Sequence, residues 1–339
     1  MLHQSPTPQD LGFRMPAEFG LHARTWMMWP CRKIVWPDMH ATRQSYAAVA
    51  HAIRAFEPVT MVVDPDDMAE ARAMLGADID LIELPIDDSW ARDAGPNFLR
   101  DAAGNKAAAL FGFNAWGRKY DPFDKDAAAG RAMAEIAGAR PFTSRLIAEG
   151  GGLSVDGEGT ILTTRTCFPN ANRNPDWTLE EIERDLMAML GGEKVIWLPG
   201  NAEETETDGH VDGIAVFVAP GVVLIEGADD PADPWRAIKQ ANIDALEGET
   251  DARGRPIRLV KIPEADESCA VGERFCLSYV NAYFCNGGVV MPRYGTRSDD
   301  EAREIYEDLF PEARVAMVDI RDIAVGGGGI HCITQQEPA

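Results

Sequence analysis

The sequence has no apolar run long enough to cross a membrane. Its longest, Ile214 to Ile225, is broken by Pro220-Gly221 and reads as two strands joined by a turn. The stretch from Met1 to Gly20 has no apolar core behind a basic patch, so no secretory signal is expected. Cysteine is sparse and scattered: residues 31, 167, 269, 276, 285 and 332 form no C-x-x-C pair. Such spacing fits free thiols in a reducing cytoplasm rather than a disulfide scaffold. No G-x-G-x-x-G follows the first strand-like run, which argues against a dinucleotide fold. No low-complexity linker divides the chain, so residues 1–339 are expected to form a single domain, with 1–14 free to be flexible. Positive charge is the remaining deficit, with 32 basic residues against 55 acidic and a net charge of −23. Nucleic acid and anionic membrane are therefore poor partners, whereas a cationic small molecule would be drawn in. Solubility alone would account for the same charge.

What is present is α/β in pattern. With 45% hydrophobic residues, the chain can bury a large core. Asp64-Pro65, Asp124, Thr178…Glu181 (closed by Gly191-Gly192), Asp233-Pro234 and Ser298…Glu301 carry helix-start signals. These starts are separated by about 59, 54, 56 and 64 residues, which suggests a structural repeat. A further amphipathic helix at 41–56 spoils a regular count. Short β-rich runs lie between the helices, at 59–63, 79–84, 195–198, 211–218, 222–225, 257–262, 288–291 and 315–320. They are too short for one long open sheet. Repeating α/β units around an axis, with loops at one end converging, would fit them.

Four stretches carry the candidate chemistry. In the tail, Gly326-Gly327-Gly328-Gly329-Ile330-His331-Cys332, four bare glycines let backbone and ligand come close to a cysteine. Asp87-Asp88-Ser89-Trp90-Ala91-Arg92-Asp93 sets a tryptophan, whose face suits a cation, among carboxylates. Glu149 precedes three glycines, and His210 and Asp212 stand two apart at an expected strand start, where alternation would turn both to one face. Each stretch alone has an ordinary reading as a turn or a packed thiol. Together they supply two aspartates, a glutamate, a histidine and a cysteine. That set suits a guanidinium: paired carboxylates grip its N–H groups, a thiolate attacks its carbon, and a glutamate-supported histidine moves the protons.

The motifs DDSWARDAGP, EGGG, TDGHVD and GGGGIHCITQQ, in this order, resemble those of the agmatine deiminases. Phe113–Gly117 and Ser278–Asn281 also look like segments of that family, and the likeness runs from about Met15 to Pro338. The resemblance implies a five-bladed, pseudo-symmetric α/β propeller of the guanidine-modifying superfamily, with its active site on the central axis. It implies Cys332 as nucleophile, His210 as general acid/base and Glu149 as the histidine's partner. Asp93 and Asp212 would be the guanidinium-holding pair, with Trp90 in the substrate pocket. Gly328 and Gly329 belong to the substrate loop, and Gly329 replaces the asparagine that the family usually has there.

The leading expectation is a hydrolase without metal or cofactor that converts agmatine to N-carbamoylputrescine and ammonia, acting as a homodimer or larger homo-oligomer. Three alternatives stay open: a deiminase or amidinotransferase for another guanidino compound, a metal hydrolase using His210, Asp212, Asp93 and Cys332, and a non-catalytic binder. No second histidine is expected near those ligands, which weighs against the metal. The acidic run Glu203, Glu204, Glu206 and Asp208 would repel a carboxylate-bearing substrate, with Glu206 the candidate to face a distal ammonium.

Overall fold

A computed structural model describes residues 5–339. The first strand, β1 (His22–Met28), leads through helix α1 (Met39–Arg54) to β2 (Val59–Val63), then through α2 (Met68–Leu75) to β3 (Asp80–Glu83). The single turn α3 (Ala91–Ala94) precedes the hairpin β4 (Asn97–Arg100) and β5 (Lys106–Gly112). Next come the short turn α4 (Ala115–Arg118), helix α5 (Asp124–Ile136) and β6 (Arg140–Ile147). The pattern repeats as β7 (Ser154–Val155), β8 (Thr160–Thr164), α6 (Leu179–Leu190) and β9 (Lys194–Leu198), and then as β10 (Ala215–Ala219), β11 (Val222–Glu226), α7 (Arg236–Leu246) and β12 (Arg258–Ile262). The last unit is β13 (Tyr283–Cys285), β14 (Gly288–Arg293), α8 (Ser298–Leu309) and β15 (Arg314–Asp319), followed by the turn α9 (Arg321–Ala324) and β16 (Thr334–Pro338).

Among the described residues these strands form five separate sheets. Four have three strands, and the fifth is ordered β16-β1-β2-β3. In each three-stranded sheet the first two strands are antiparallel, and a helix then carries the chain to a third strand parallel to the second. The four-stranded sheet follows the same rule once β16 is taken as its first strand, since β16 is antiparallel to β1 and β1 is parallel to β2. Strand direction therefore makes α1 the repeat helix and α2–β3 the appendage, the reverse of the sequence reading. The first and last strands in chain order pair in this sheet.

Local chemistry explains the main boundaries. The Asp38 side chain caps α1 by accepting from the Ala41 N–H. Thr178 and Glu181 form the expected capping box, and α6 stops at Gly191 at φ 67°, where a Cβ would meet the Phe13 carbonyl. Ser298 does not cap α8. The Asp299 carboxylate instead accepts from the backbone N–H groups of Tyr294, Gly295 and Thr296, so the helix begins one residue early. After Asp233-Pro234 the helix starts only at Arg236, because Asp233 is occupied with the Trp235 N–H and Lys239. The expected strand 211–218 is shortened. Val211–Gly213 is a 3-10 turn, and pairing begins at Ala215.

Residues 1–4 lie outside the described residues. From Thr7 onward the N-terminal segment is held down: Thr7 and Asp10 bond each other, Phe13 is buried, and Arg14 exchanges backbone bonds with Arg100.

Candidate active site

The first strand of every sheet is entered through a loop that carries a candidate residue. Asp93 precedes β4, Glu149 and Gly151 precede β7, and His210 and Asp212 precede β10; Asn281 precedes β13 and Cys332 precedes β16. The five loops meet. Cys332 Sγ lies 3.5 Å from Asp212 Oδ2 and receives the Asn281 Nδ2–H at 3.2 Å. Asp93 accepts from the Gly151 N–H and from the Trp116 indole N–H, both at 2.9 Å. His210 Nδ1 is 3.8 Å from Asp93 Oδ1, and its Nε2 is 3.4 Å from Glu149 Oε2. Every one of these side chains is buried.

Gly151 lies tight against the site. A Cβ on it would stand 2.5 Å from His210 Nδ1, 2.8 Å from Asp93 Oδ1 and 3.0 Å from Asp212 Oδ2. Only a bare Cα lets the backbone approach these three polar atoms so closely. His210 Nδ1 is buried and has no hydrogen-bond partner, although a donor or acceptor in that position normally finds one. Two carboxylates beside a thiol offer acceptors to a planar donor, and the unpartnered His210 Nδ1 stands ready to give a proton beside them.

The charges are set by burial and by close partners. Burial raises the Cys332 thiol well above its usual range, and the nearby Asp212 and Asp93 charges add to it. Asp93 is raised by burial, reinforced by Asp212 and Glu149. Burial opposes ionisation of Asp212, but His331, His210 and Arg92 overcome it and hold its carboxyl below the ordinary value. Burial likewise opposes the His210 imidazolium, yet the charges of Asp93 and Glu149 outweigh it and keep the ring protonated well above its usual range. Glu149 stays ionised against its burial because Arg173 Nε donates to both its oxygens, at 2.9 and 3.1 Å.

Glu149, Cys167 and His210 also bring one potential metal donor each within 4.8 Å of one another. Arg173 already engages both Glu149 oxygens, burial keeps the Cys167 thiol protonated, and His210 carries its proton. That donor set suits acid–base work better than metal ligation.

Two openings reach Cys332. A cavity of about 280 Å³ is lined by His210, Asp212, Asn281 and Cys332 at one side and by Glu203, Glu206 and Arg274 among others. A narrow recess of about 20 Å³ runs between Trp90, Trp116, Tyr120 and Glu206 to Cys332. Trp90 stacks on Trp36 with centroids 5.5 Å apart and meets Trp116 edge-on. Of the acidic run, Glu204 accepts from the backbone N–H groups of Glu206, Thr207 and Gly209, and Asp208 binds Lys119, Asn172 and Arg173. These two hold the loop in shape. Glu206 lines both openings but already bonds the Tyr120 hydroxyl, with Arg274 at 3.7 Å.

The glycine loop packs closely. A Cβ on Gly328 would be 2.5 Å from the Trp90 ring and 3.1 Å from Cys332 Sγ, and one on Gly329 would be 2.6 Å from Asn281 Oδ1. The space at Gly329 is therefore filled by Asn281, the side chain that reaches the Cys332 thiol.

The chain matches the model of the Porphyromonas-type peptidyl-arginine deiminase family over residues 14–338. It belongs to that family. It is 42% identical to an agmatine deiminase of Pseudomonas aeruginosa over 364 residues, covering 100% of this chain and 99% of that one. It is also 42% identical to an agmatine deiminase of Ectopseudomonas mendocina, with 98% and 97% covered. Its fold is similar to that of the agmatine deiminase of Enterococcus faecalis, with a TM-score of 0.95 at 34% identity, over 99% of this chain and 98% of that one. Among the described residues, no helix of this family member is long and apolar enough to cross a membrane.

Several site residues escaped the sequence reading. Trp116 and Asn281 lay in segments noted only for their resemblance, and Arg173 gave no local signal. The expectation that no second histidine lies near the candidate ligands is wrong: His331 Nδ1 is 2.8 Å from Asp212 Oδ2. Its position next to Cys332 in the sequence was the clue.

Proposed function

We propose that the protein hydrolyses agmatine to N-carbamoylputrescine and ammonia. The reading is carried by the convergence of His210, Asp93 and Asp212 beside Cys332, where the two openings end. The two aspartates accept the guanidinium N–H groups. The cation offsets the negative charges that hold the thiol up, which favours loss of its proton to solvent. The Cys332 thiolate attacks the guanidinium carbon, and the protonated His210 gives its proton to the departing nitrogen as ammonia leaves. The cationic S-amidino intermediate is next attacked by water. His210, now neutral, takes one proton from that water, and the C–S bond breaks as the other proton passes to solvent, yielding the ureido product and the thiolate. Glu149, braced by Arg173, steadies the imidazolium in both steps.

Trp90 and Trp116 wall the aliphatic chain, and Glu206 receives the distal ammonium, with Tyr120 and Arg274 sharing its charge. The five sheets form the blades of a propeller, and the five loops that enter their first strands meet on its axis. Residues 1–339 form one catalytic domain, which works in the cytoplasm as a homodimer or larger homo-oligomer. No metal or organic cofactor takes part, and turnover should survive dialysis against chelators.

Ammonia release from agmatine, arginine and a peptide ending in arginine tests the substrate. The kcat/KM for agmatine should exceed the others by about two orders of magnitude, about 3 kcal/mol; equal turnover of arginine would overturn the assignment. Cys332→Ser should lose nearly all turnover. Acid-quenched wild-type enzyme should carry the added amidino mass on the peptide containing Cys332, and a fully active serine variant would refute the covalent route.

A further inference from the structure

A buried chain of charges runs behind the site. Asp212 Oδ2, the oxygen nearest Cys332 Sγ, is 2.8 Å from His331 Nδ1. His331 Nε2 is 2.8 Å from Glu18 Oε2, and Arg92 Nη1 donates to Glu18 Oε1 at 3.1 Å. Arg92 also ties the nucleophile's loop, through its N–H to the Cys332 carbonyl at 3.2 Å and its Nε to the His331 carbonyl at 3.4 Å. All four side chains are at most 5% exposed. An imidazole with a carboxylate at each nitrogen can satisfy both only by donating from both, which requires the imidazolium.

We propose that His331 is a positioning residue. Held as an imidazolium by Glu18, it keeps Asp212 ionised and aims its Oδ2 at the guanidinium beside Cys332. The proposal rests on the guanidinium reading of Asp212. The alternate charges Arg92⁺, Glu18⁻, His331⁺ and Asp212⁻ make each ionisation depend on the next. Burial and Arg92 oppose the His331 charge, while Glu18 and Asp212 prevail and raise its pKa. Glu18, against its own burial, is brought down to about 2 by Arg92 and His331. The other groups facing this chain are His22, whose ring bonds the Glu18 carbonyl, and His210, Asp93 and Cys332 on the far side of Asp212.

The side chain of Glu18 does not border the cavity, so a structural role and a positioning role separate cleanly. Glu18→Gln, His331→Asn and His331→Ala are compared with wild type by log kcat/KM for agmatine against pH. Losing a charged hydrogen bond to Asp212 should lower kcat/KM by about tenfold to hundredfold in His331→Ala. The loss should appear mainly in KM, and the acid limb should move to higher pH as Asp212 regains its carboxylic proton. His331→Asn keeps a neutral donor for Asp212, so part of the activity should return while the acid limb stays displaced. Glu18→Gln should move the same limb without touching the cavity.

Activity reduced in all three variants with an unshifted pH profile would overturn the proposal. Histidine NMR gives a readout that needs no turnover. Among the six histidines, the His331 signal, assigned by its absence in His331→Asn, should remain that of an imidazolium through neutral pH, and it should lose the proton earlier in Glu18→Gln. A neutral His331 at pH 7 in wild type would also overturn it. If wild type does not turn agmatine over, the functional reading fails by itself, while the NMR titration still decides the charge chain.

Discussion

Gly151→Ala tests the placement of His210 and Asp93 with one methyl group. The backbone φ of Gly151 is not in the left-handed region, so alanine brings no conformational strain there. Its Cβ would instead stand 2.5 Å from His210 Nδ1 and 2.8 Å from Asp93 Oδ1, against roughly 3.4 Å for ordinary contact. Both must retreat, His210 by about 1 Å and Asp93 by roughly half as much. Neither is free to do so, since Asp93 is fixed by Trp116 and by the Gly151 N–H itself, and His210 faces Glu149 braced by Arg173. Displacing a catalytic group by about 1 Å costs on the order of 100-fold, and overpacking a tight site destabilises by about 1–3 kcal/mol. We expect kcat/KM for agmatine to fall by about 100-fold or more while the protein still unfolds cooperatively. Gly213→Ala is the control, because a Cβ on this neighbour of Asp212 meets nothing within 4 Å. Steady-state ammonia release and thermal unfolding of both variants decide the point. Activity near wild type in Gly151→Ala would refute the proposed need for His210 and Asp93 to stand where they do.

Trp116→Phe keeps the ring but removes the N–H that Asp93 Oδ2 accepts, so kcat/KM should fall by about tenfold to hundredfold; an unchanged value would remove Trp116 from the site. Alkylation of Cys332 by iodoacetamide, followed by peptide mass spectrometry, should be slow at neutral pH in the free enzyme and rise only above pH 9, because burial, Asp212 and Asp93 hold the thiol up. In Asp212→Asn the thiol should alkylate faster at the same pH even though turnover is crippled, and a slower reaction would contradict the charge argument. Glu18 has a folded pKa of about 2 against an ordinary 4.5, so its ionisation contributes stability above pH 4.5 that disappears as the pH falls toward 2. That contribution is roughly 3 kcal/mol, and acid unfolding of Glu18→Gln should show a correspondingly smaller loss over this range.

The groups proposed to react were more legible in the sequence than their supports, and the reason is physical. Cys332, His210, Glu149 and Asp93 sit on loops beside glycines or an isolated tryptophan, and a close approach of backbone to ligand leaves that composition in the chain. Their supports act across long separations. Arg173 is 24 residues from Glu149, His331 is 119 from Asp212, and Glu18 is 313 from His331. No local pattern encodes such pairings. The same distinction governs the fold. Amphipathic helices and β-branched runs such as 59–63 were legible, whereas β1, β4 to β8, β13 and β16 were not. Several of these strands carry alanine or glutamine where the sheet is buried, as in Ala107–Ala109 and Gln335–Gln336, so they show little β signal. The expected His210–Asp212 alternation also reached the right outcome by the wrong route. The segment is a 3-10 turn, and it is the turn, not strand pleating, that directs His210 toward Glu149 and Asp212 toward Cys332. A tight turn can aim two neighbours at separate partners around one gap, as this site requires; a strand would have set them side by side on one flat face.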